Sequence, residues 1–316
     1  MTQPEWNATD GSGQDGRVAV ITGASAGIGR ATAAILAQRG ARVVLACRDL
    51  TKATQATDWI VQTGVDRESV DVVVLNLASL TSVRAAADDI LSSCPRLDLL
   101  INNAAVMAIP FGLSEDGIEL TFATNHLGHF ALTGLLLHRL LATPSSRVIT
   151  ISSNAHRRAR PQFDPRVSRG DYDPGAAYDH SKLANLLFTF ELQRRLHAHG
   201  AHTVAVAAHP GNARTDLWET SSRLERLLLG PRMRPLTRWL AQTPEEGALA
   251  TLRAATDPTV AGGEYFGPGG PLGYTGAPVR VEASPAARDR TAQRHLWELS
   301  EELSGVTYGR RSPTTI

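Results

Sequence analysis

The stretch "RVAVITGASAGIG", residues 17–29, decides the fold. Its first six residues are a short apolar run rich in β-branched side chains, which predicts a buried strand. Glycines follow at positions 23, 27 and 29. "GIGRATAAILAQRG" then continues with helical composition as far as Gly40, a fitting C-cap. Gly23, Gly27 and Gly29 permit a tight turn, close backbone approach to a phosphate, and close packing of helix on strand. The unpaired N–H groups at the helix start then suit a pyrophosphate. Glycines alone are weak evidence, because any turn collects them. The strand before and the helix after carry the dinucleotide reading.

The same alternation continues along the chain. "ARVVLAC" (41–47), "VDVVVL" (70–75), "LDLLIN" (97–102), "RVITIS" (147–152) and "HTVAVAA" (202–208) read as buried strands, and "GGEYFG" (262–267) offers one more. Continuous apolar strands separated by helices predict an α/β fold, a doubly wound parallel sheet covered on both faces. There is no internal repeat and no long linker. The expectation is one domain over residues 16–316 after a mobile tail at 1–15. Two segments look like additions to the core: the arginine-bearing stretch 154–177, and 212–245, which would form a substrate flap. The tail from about 268 mixes turns with a helix in "AARDRTAQRHLWELSEELS".

Composition is ordinary for a globular chain: 316 residues, 42% hydrophobic and 20% charged. Lys plus Arg number 32 against 31 acids, a net charge of +1, which gives no reason to expect a nucleic-acid partner. Cys47 and Cys94 are the two cysteines, read as free thiols in a reducing compartment. The first seventeen residues have neither a basic start nor an apolar stretch, and no window approaches the roughly 18 apolar residues of a spanning helix. A cytoplasmic location is expected.

The end of the second strand bears on which dinucleotide binds. An NAD site usually places an acid about twenty residues past the glycines, on the ribose 2′-OH. Here Cys47 ends the strand and Arg48 follows. A guanidinium can hold a 2′-phosphate with two hydrogen bonds, so NADP(H) is expected over NAD(H). Asp49 is the counter-indication, since its carboxylate could turn inward.

In "YDHSK" (178–182), Tyr178 and Lys182 are four residues apart, on one face if the segment is helical. The apolar spacing of "AYDHSKLANLLFTFELQRRL" supports that helix. A phenol with its ordinary pKa near ~10 is a poor proton carrier at neutral pH. An adjacent ammonium would favour the phenolate and bring that pKa toward the working range.

Taken together, these motifs resemble the short-chain dehydrogenase/reductase family over most of the chain. The family's TGxxxGxG is matched by Thr22 to Gly29, its YxxxK by Tyr178 to Lys182, and its NNAG by "NNAA" at 102–105. Asn125 in "TNHLGHF", Ser153 in "ISSNAH" and the PGxxxT-like "HPGNART" (209–215) complete the order. "LACRD", "SSNAH" and "HSKLANLLF" are similar to the retinol-dehydrogenase-like and protochlorophyllide-reductase-like branch, of soluble bacterial type.

The resemblance implies a Rossmann fold and a set of roles. Tyr178 would exchange the proton with the substrate oxygen and Ser153 would donate a hydrogen bond to it. Lys182 would hold the nicotinamide ribose, and Asn125 would position a water relaying protons to Lys182. Cofactor contacts are implied for Thr22, Gly23, Ser25, Gly27, Ile28 and Gly29 in the first turn, and for Arg48, Asn76 and Leu77 beside the adenosine. Asn103, Ala104, Tyr178, Lys182, Pro210, Gly211 and Thr215 would complete the cradle. Asn76 stands where members usually have Asp, and Ala105 replaces the last glycine of NNAG.

His126 and His129 are read as core or active-site-wall residues rather than metal ligands, since no third ligand stands at a suitable spacing; no metal is expected. His209 is read as structural. Arg157, Arg158, Arg160, Arg166 and Arg169 are read as a solvated surface loop. Segment 223–240 interleaves leucines with arginines and is read as a lid over an apolar substrate, with a membrane-surface or subunit contact as alternatives. The implied activity is NADP(H)-dependent hydride transfer on a lipophilic carbonyl or alcohol. C=C reduction and a non-catalytic dinucleotide-binding scaffold are the alternatives. A homodimer through 120–142 and 176–199 is possible unless the C-terminal tail blocks that contact.

Overall fold

The computed structural model describes residues 6–7, 9–161, 169–212 and 242–308. The strands are β1 (Val18–Thr22), β2 (Arg42–Cys47), β3 (Val70–Val74), β4 (Leu99–Asn102), β5 (Arg147–Ile151), β6 (Val204–Ala208), β7 (Tyr265–Pro268) and β8 (Pro278–Arg280). Between the first six run α1 (Gly27–Gln38), α2 (Leu50–Val61), α3 (Leu80–Ser93), a short turn α4 (Leu120–Phe122), α5 (Gly128–Ala142) and α6 (Pro174–Ala198). Helices α7 (Pro244–Thr256) and α8 (Arg290–Ser304) follow. The sheet order is β3-β2-β1-β4-β5-β6-β7-β8, parallel throughout except for β8, which runs antiparallel to β7. This is the expected doubly wound α/β architecture.

Strand alternation sorts side chains between the two faces. Ala19 and Ile21 of β1 join a core built with α1 and α7 residues such as Leu36 and Leu252. Val18 and Val20 point the other way, into a core with Val83 and Ile90 of α3 and Phe130 of α5. Burial on both faces explains why the strands read as unbroken apolar runs. Chain order reverses between β1 and β4, so a crevice opens beyond their C-terminal ends.

Three features went unforeseen. Strand β8 is only three residues long, too short for its alternation to register in sequence. Residues 6–7 and 9–15, expected within a mobile tail, instead lie against the α1–α7 face. Trp6 and Gln14 are buried there, Ser12 N–H donates to Thr256 O at 3.1 Å, and Gln14 N–H donates to Arg39 O at 2.8 Å. Finally, Ala123–Leu127 forms a π-helical turn between α4 and α5.

Helix α8 packs on α6 and α5, the helices named above for a homodimer contact that the C-terminal tail could block. Trp297 is 2% exposed, its ring 5.2 Å from Phe130 and 4.4 Å from Tyr308, with the Arg195 guanidinium 4.2 Å above it. Truncating a side chain so placed costs about 3–5 kcal/mol. Among the described residues no helix is long and apolar enough to cross a membrane. The flap expected at 212–245, with its 223–240 lid, lies mostly outside the described residues.

Candidate active site

The crevice holds a cavity of about 740 Å3 floored by the turn from β1 into α1. Gly23 has φ +65°, and a Cβ there would stand 2.8 Å from the Ala104 backbone. A Cβ on Gly29 would stand 2.5 Å from Gly23 O and from Asn103 Nδ2. Both positions therefore require glycine for the turn to close against β4. Ala26 caps α1 without any side-chain hydrogen bond, so the first-turn N–H groups have no side-chain partner at that cap. Gly23, Ser25, Gly27, Ile28, Gly29, Arg48, Asn76, Leu77, Asn103, Ala104, Tyr178, Lys182 and Pro210 all line this cavity. Glycines barred from bearing a side chain and a cap with no side-chain acceptor suit a dinucleotide phosphate. The residues present fit the cofactor.

Thr22 takes a different place: it is fully buried and is not part of the cavity wall. Its hydroxyl accepts from Asn103 N–H at 2.9 Å and Ala104 N–H at 3.0 Å, tying β1 to the chain after β4. His129 completes this strut. Its Nδ1 lies 3.1 Å from Asn125 O, which can only accept, so Nδ1 carries the proton. Burial holds the ring neutral, its pKa lowered to about 4, so Nε2 must accept the Thr22 hydroxyl proton across 2.8 Å.

Tyr178 and Lys182 stand one turn apart near the start of α6. Asp173 caps that helix by accepting from Ala176 N–H, with Pro174 in the first turn. Ser153 stands near enough to the Tyr178 hydroxyl to favour its ionised form in part, and both side chains line the same cavity. Ser153 follows β5 and caps a 3-10 turn, Asn154–Arg157. Lys182 is 2% exposed; its Nζ donates to Ile151 O at 3.3 Å and lies 5.5 Å from the centre of the Tyr178 ring. Tyr178, half-buried, also lines a second cavity of about 420 Å3 together with Ser153, Asn154, Gly211, Asn212 and Tyr274. The two cavities meet at the phenol.

Electrostatics here reverse one expectation. A depressed phenol pKa was expected; burial instead pushes Tyr178 up to about 12, offset in part by Ser153. Burial brings Lys182 down to about 8. Each group leaves water, so each is driven toward its neutral form. At neutral pH the phenol keeps its proton, and the amine is the group that titrates nearest neutrality.

Asn125 sits in the π turn, fully buried and outside the wall of the larger cavity. Oδ1 accepts from Val106 N–H at 2.7 Å; Nδ2 donates to Val106 O at 2.8 Å and to Ser181 Oγ at 2.9 Å. Both amide protons are thereby used, leaving none for the relay water expected of this side chain. Thr215 lies outside the described residues. Among the described residues no cluster of three metal-ligating side chains occurs.

Comparison with known proteins supplies the family. The sequence profile described as short chain dehydrogenase matches residues 17–225. The chain belongs to the short-chain dehydrogenase family. Mouse retinol dehydrogenase 14 is 40% identical over 303 residues, covering 92% of this chain and 86% of that protein. Human retinol dehydrogenase 12 is 41% identical over 297 residues, covering 93% and 88%. The crystal structure of an uncharacterized protein from Mycobacterium paratuberculosis superposes with a TM-score of 0.78 at 39% identity, covering 97% of this chain and all of that one. As a short-chain dehydrogenase, the protein is an oxidoreductase of the NAD(P)-dependent kind.

Two site residues escaped the sequence reading. Lys52, in the first turn of α2, lines the larger cavity as Arg48 does; a second cation four positions after Arg48 was the available signal. His156 donates Nδ1–H to Ser153 O at 2.6 Å and accepts from Ser284 N–H at 3.1 Å through Nε2, fixing the serine. Its place three residues beyond Ser153 was legible, but its partner Ser284 was not. His126 and His209 are buried and neutral, with pKa values brought down to about 3. His209 Nδ1 accepts from Gly211 N–H at 3.2 Å, a structural role as expected.

Proposed function

We propose that the protein reduces lipophilic ketones or aldehydes with NADPH, and oxidises the corresponding alcohols with NADP+, as a member of the retinol-dehydrogenase-like branch. The observation that carries this reading is the position of Tyr178, on the wall of both cavities, with Ser153 beside it in the smaller one. A substrate oxygen in the smaller cavity would meet two hydroxyl donors there. Ile28, Met107, Ala108, Ala155 and Pro210 supply apolar wall for the rest of the molecule.

A nicotinamide bound in the larger cavity supplies or accepts the hydride. Tyr178, protonated at neutral pH, gives its proton to the carbonyl oxygen as charge develops on it. Ser153 donates a second hydrogen bond to that oxygen. Lys182, charged below about pH 8, adds positive potential beside the phenol and favours the tyrosinate formed by proton transfer.

Two observations favour NADP(H). The Asp49 carboxylate is engaged as the N-cap of α2, accepting from Lys52 N–H at 3.0 Å. Arg48 and Lys52 line the cavity beside Cys47 together with Asp49, giving that end two cations against one carboxylate. The test is NADPH consumption by the purified protein across a panel of alkyl ketones, aldehydes and enones. Carbonyl reduction is expected, falling by ~100-fold or more in Tyr178→Phe with NADPH binding retained. Saturation of the enone C=C with the ketones untouched, or unaltered turnover in the variant, would refute this reading.

A further inference from the structure

The smaller cavity has a polar patch that a purely hydrocarbon substrate would leave unused. Arg158, the C-cap of the 3-10 turn after Ser153, shares its wall with Tyr178 and Asp179. Arg158 Nε donates to Asp179 Oδ2 at 2.7 Å and Nη2 donates to Oδ1 at 2.5 Å. The Asp179 side chain is 11% exposed and that of Arg158 is 69% exposed, so the inner carboxylate fixes the plane of an outer guanidinium. This side-on pairing leaves Nη1 without an acceptor among the described residues. Arg139, Arg147 and Arg253 differ, each having Nη1 committed to a backbone carbonyl. Tyr274 lines the same cavity, and its hydroxyl also has no partner among the described residues.

We infer that Arg158, oriented by Asp179, determines specificity by donating Nη1–H to an oxygen of the substrate other than the reacting carbonyl. The substrate class is then a ketone or aldehyde bearing a second, uncharged oxygen acceptor, such as an ester, keto or hydroxyl oxygen. An alkyl chain laid over the patch would strip water from the donor and return no hydrogen bond. A carboxylate is disfavoured, because Asp179 already balances the guanidinium and would repel a second anion. The inference rests on the reading of this cleft as a carbonyl-reducing site.

The test compares ethyl 3-oxohexanoate with 4-nonanone, which has the same chain length and no ester oxygens. Because the oxo ester is intrinsically more reactive, the quantity read is the ratio of kcat/KM between the two, wild type against variant. Arg158→Met, and the double variant Arg158→Met with Asp179→Asn, which avoids a stranded carboxylate, are both expected to lower the ratio about tenfold. The fall should come through KM, with turnover of 4-nonanone held within about twofold. An equal loss for both ketones, or no loss for either, would overturn the proposal.

Turnover of neither ketone by the wild type would refute the carbonyl-reductase reading and leave Arg158 to be judged by binding. Saturation-transfer NMR on the NADPH complex should then show the oxo ester preferred, and that preference lost in both variants. Equal binding of the two ketones would sink the assignment.

Discussion

Asn125 grips both backbone hydrogen-bonding groups of Val106, accepting from its N–H at 2.7 Å and donating to its C=O at 2.8 Å. Val106 lines the larger cavity, so the clamp fixes part of its wall from behind. Asn125→Leu keeps the volume, strands the Val106 backbone groups and removes the donor to Ser181 Oγ. A loss of about 2–4 kcal/mol in denaturant unfolding is expected, with weakened cofactor binding. Unchanged stability would mean the clamp is replaceable by water.

Lys182 ties stability to pH. Its pKa is about 8 in the folded chain against an ordinary 10.5, so between these values the unfolded chain binds more protons. Stability must therefore rise with pH from about 8, and the penalty below that is roughly 3 kcal/mol. Tyr178, at about 12 against 10.0, acts oppositely, since the unfolded phenol ionises first and stability falls above pH 10. Lys182→Met should abolish turnover, raise the unfolding midpoint at pH 7, and flatten the profile between pH 8 and 10. An unflattened profile would show that the ammonium is better solvated than its 2% exposure implies.

Acid should destabilise the protein well before its carboxylates titrate. His126 and His209 are held to about 3 and His129 to about 4, against an ordinary 6.5, each chiefly by burial. The unfolded chain takes up protons as pH falls through 6.5 while the folded one does not. Each of these histidines should remove roughly 2 kcal/mol by pH 5. His209→Asn, whose amide oxygen can replace Nδ1 as the acceptor for Gly211, should lessen the loss between pH 7 and 5.

Arg48→Ala and Lys52→Ala test the coenzyme preference separately. Each should raise KM for NADPH by about tenfold or more and leave KM for NADH nearly unchanged, because a charge-assisted contact to phosphate is all that is removed. Parallel changes for both coenzymes would assign these cations to the shared pyrophosphate instead.

The parts of this site legible in sequence are those whose chemistry is local. The β1–α1 glycines announce their turn because strand, turn and helix are contiguous, and Tyr178 with Lys182 is visible because a helix repeats every 3.6 residues. Apart from Lys52, what escaped depends on distant chain. Arg158 finds Asp179 across 21 positions, and His156 finds Ser284 across 128. Asn125 was legible as a residue but not as a clamp, because its partner is the backbone of Val106, which carries no side-chain signature. The direction of the Tyr178 and Lys182 shifts also escaped. Spacing shows that two groups are neighbours, whereas burial, a property of the assembled molecule, decides which way each titrates.

The seating of Trp297 and Tyr308 against Phe130 and Phe188 sets a timetable for synthesis. Helices α5 and α6 leave the ribosome more than ninety residues ahead of the segment that shields them. During that interval an aromatic face stands open to water on a nascent chain whose nucleotide-binding half is already complete. Completion of this aromatic core therefore waits on the segment that carries Trp297 and Tyr308, and the interval before that segment emerges is when a chaperone would have a surface to hold.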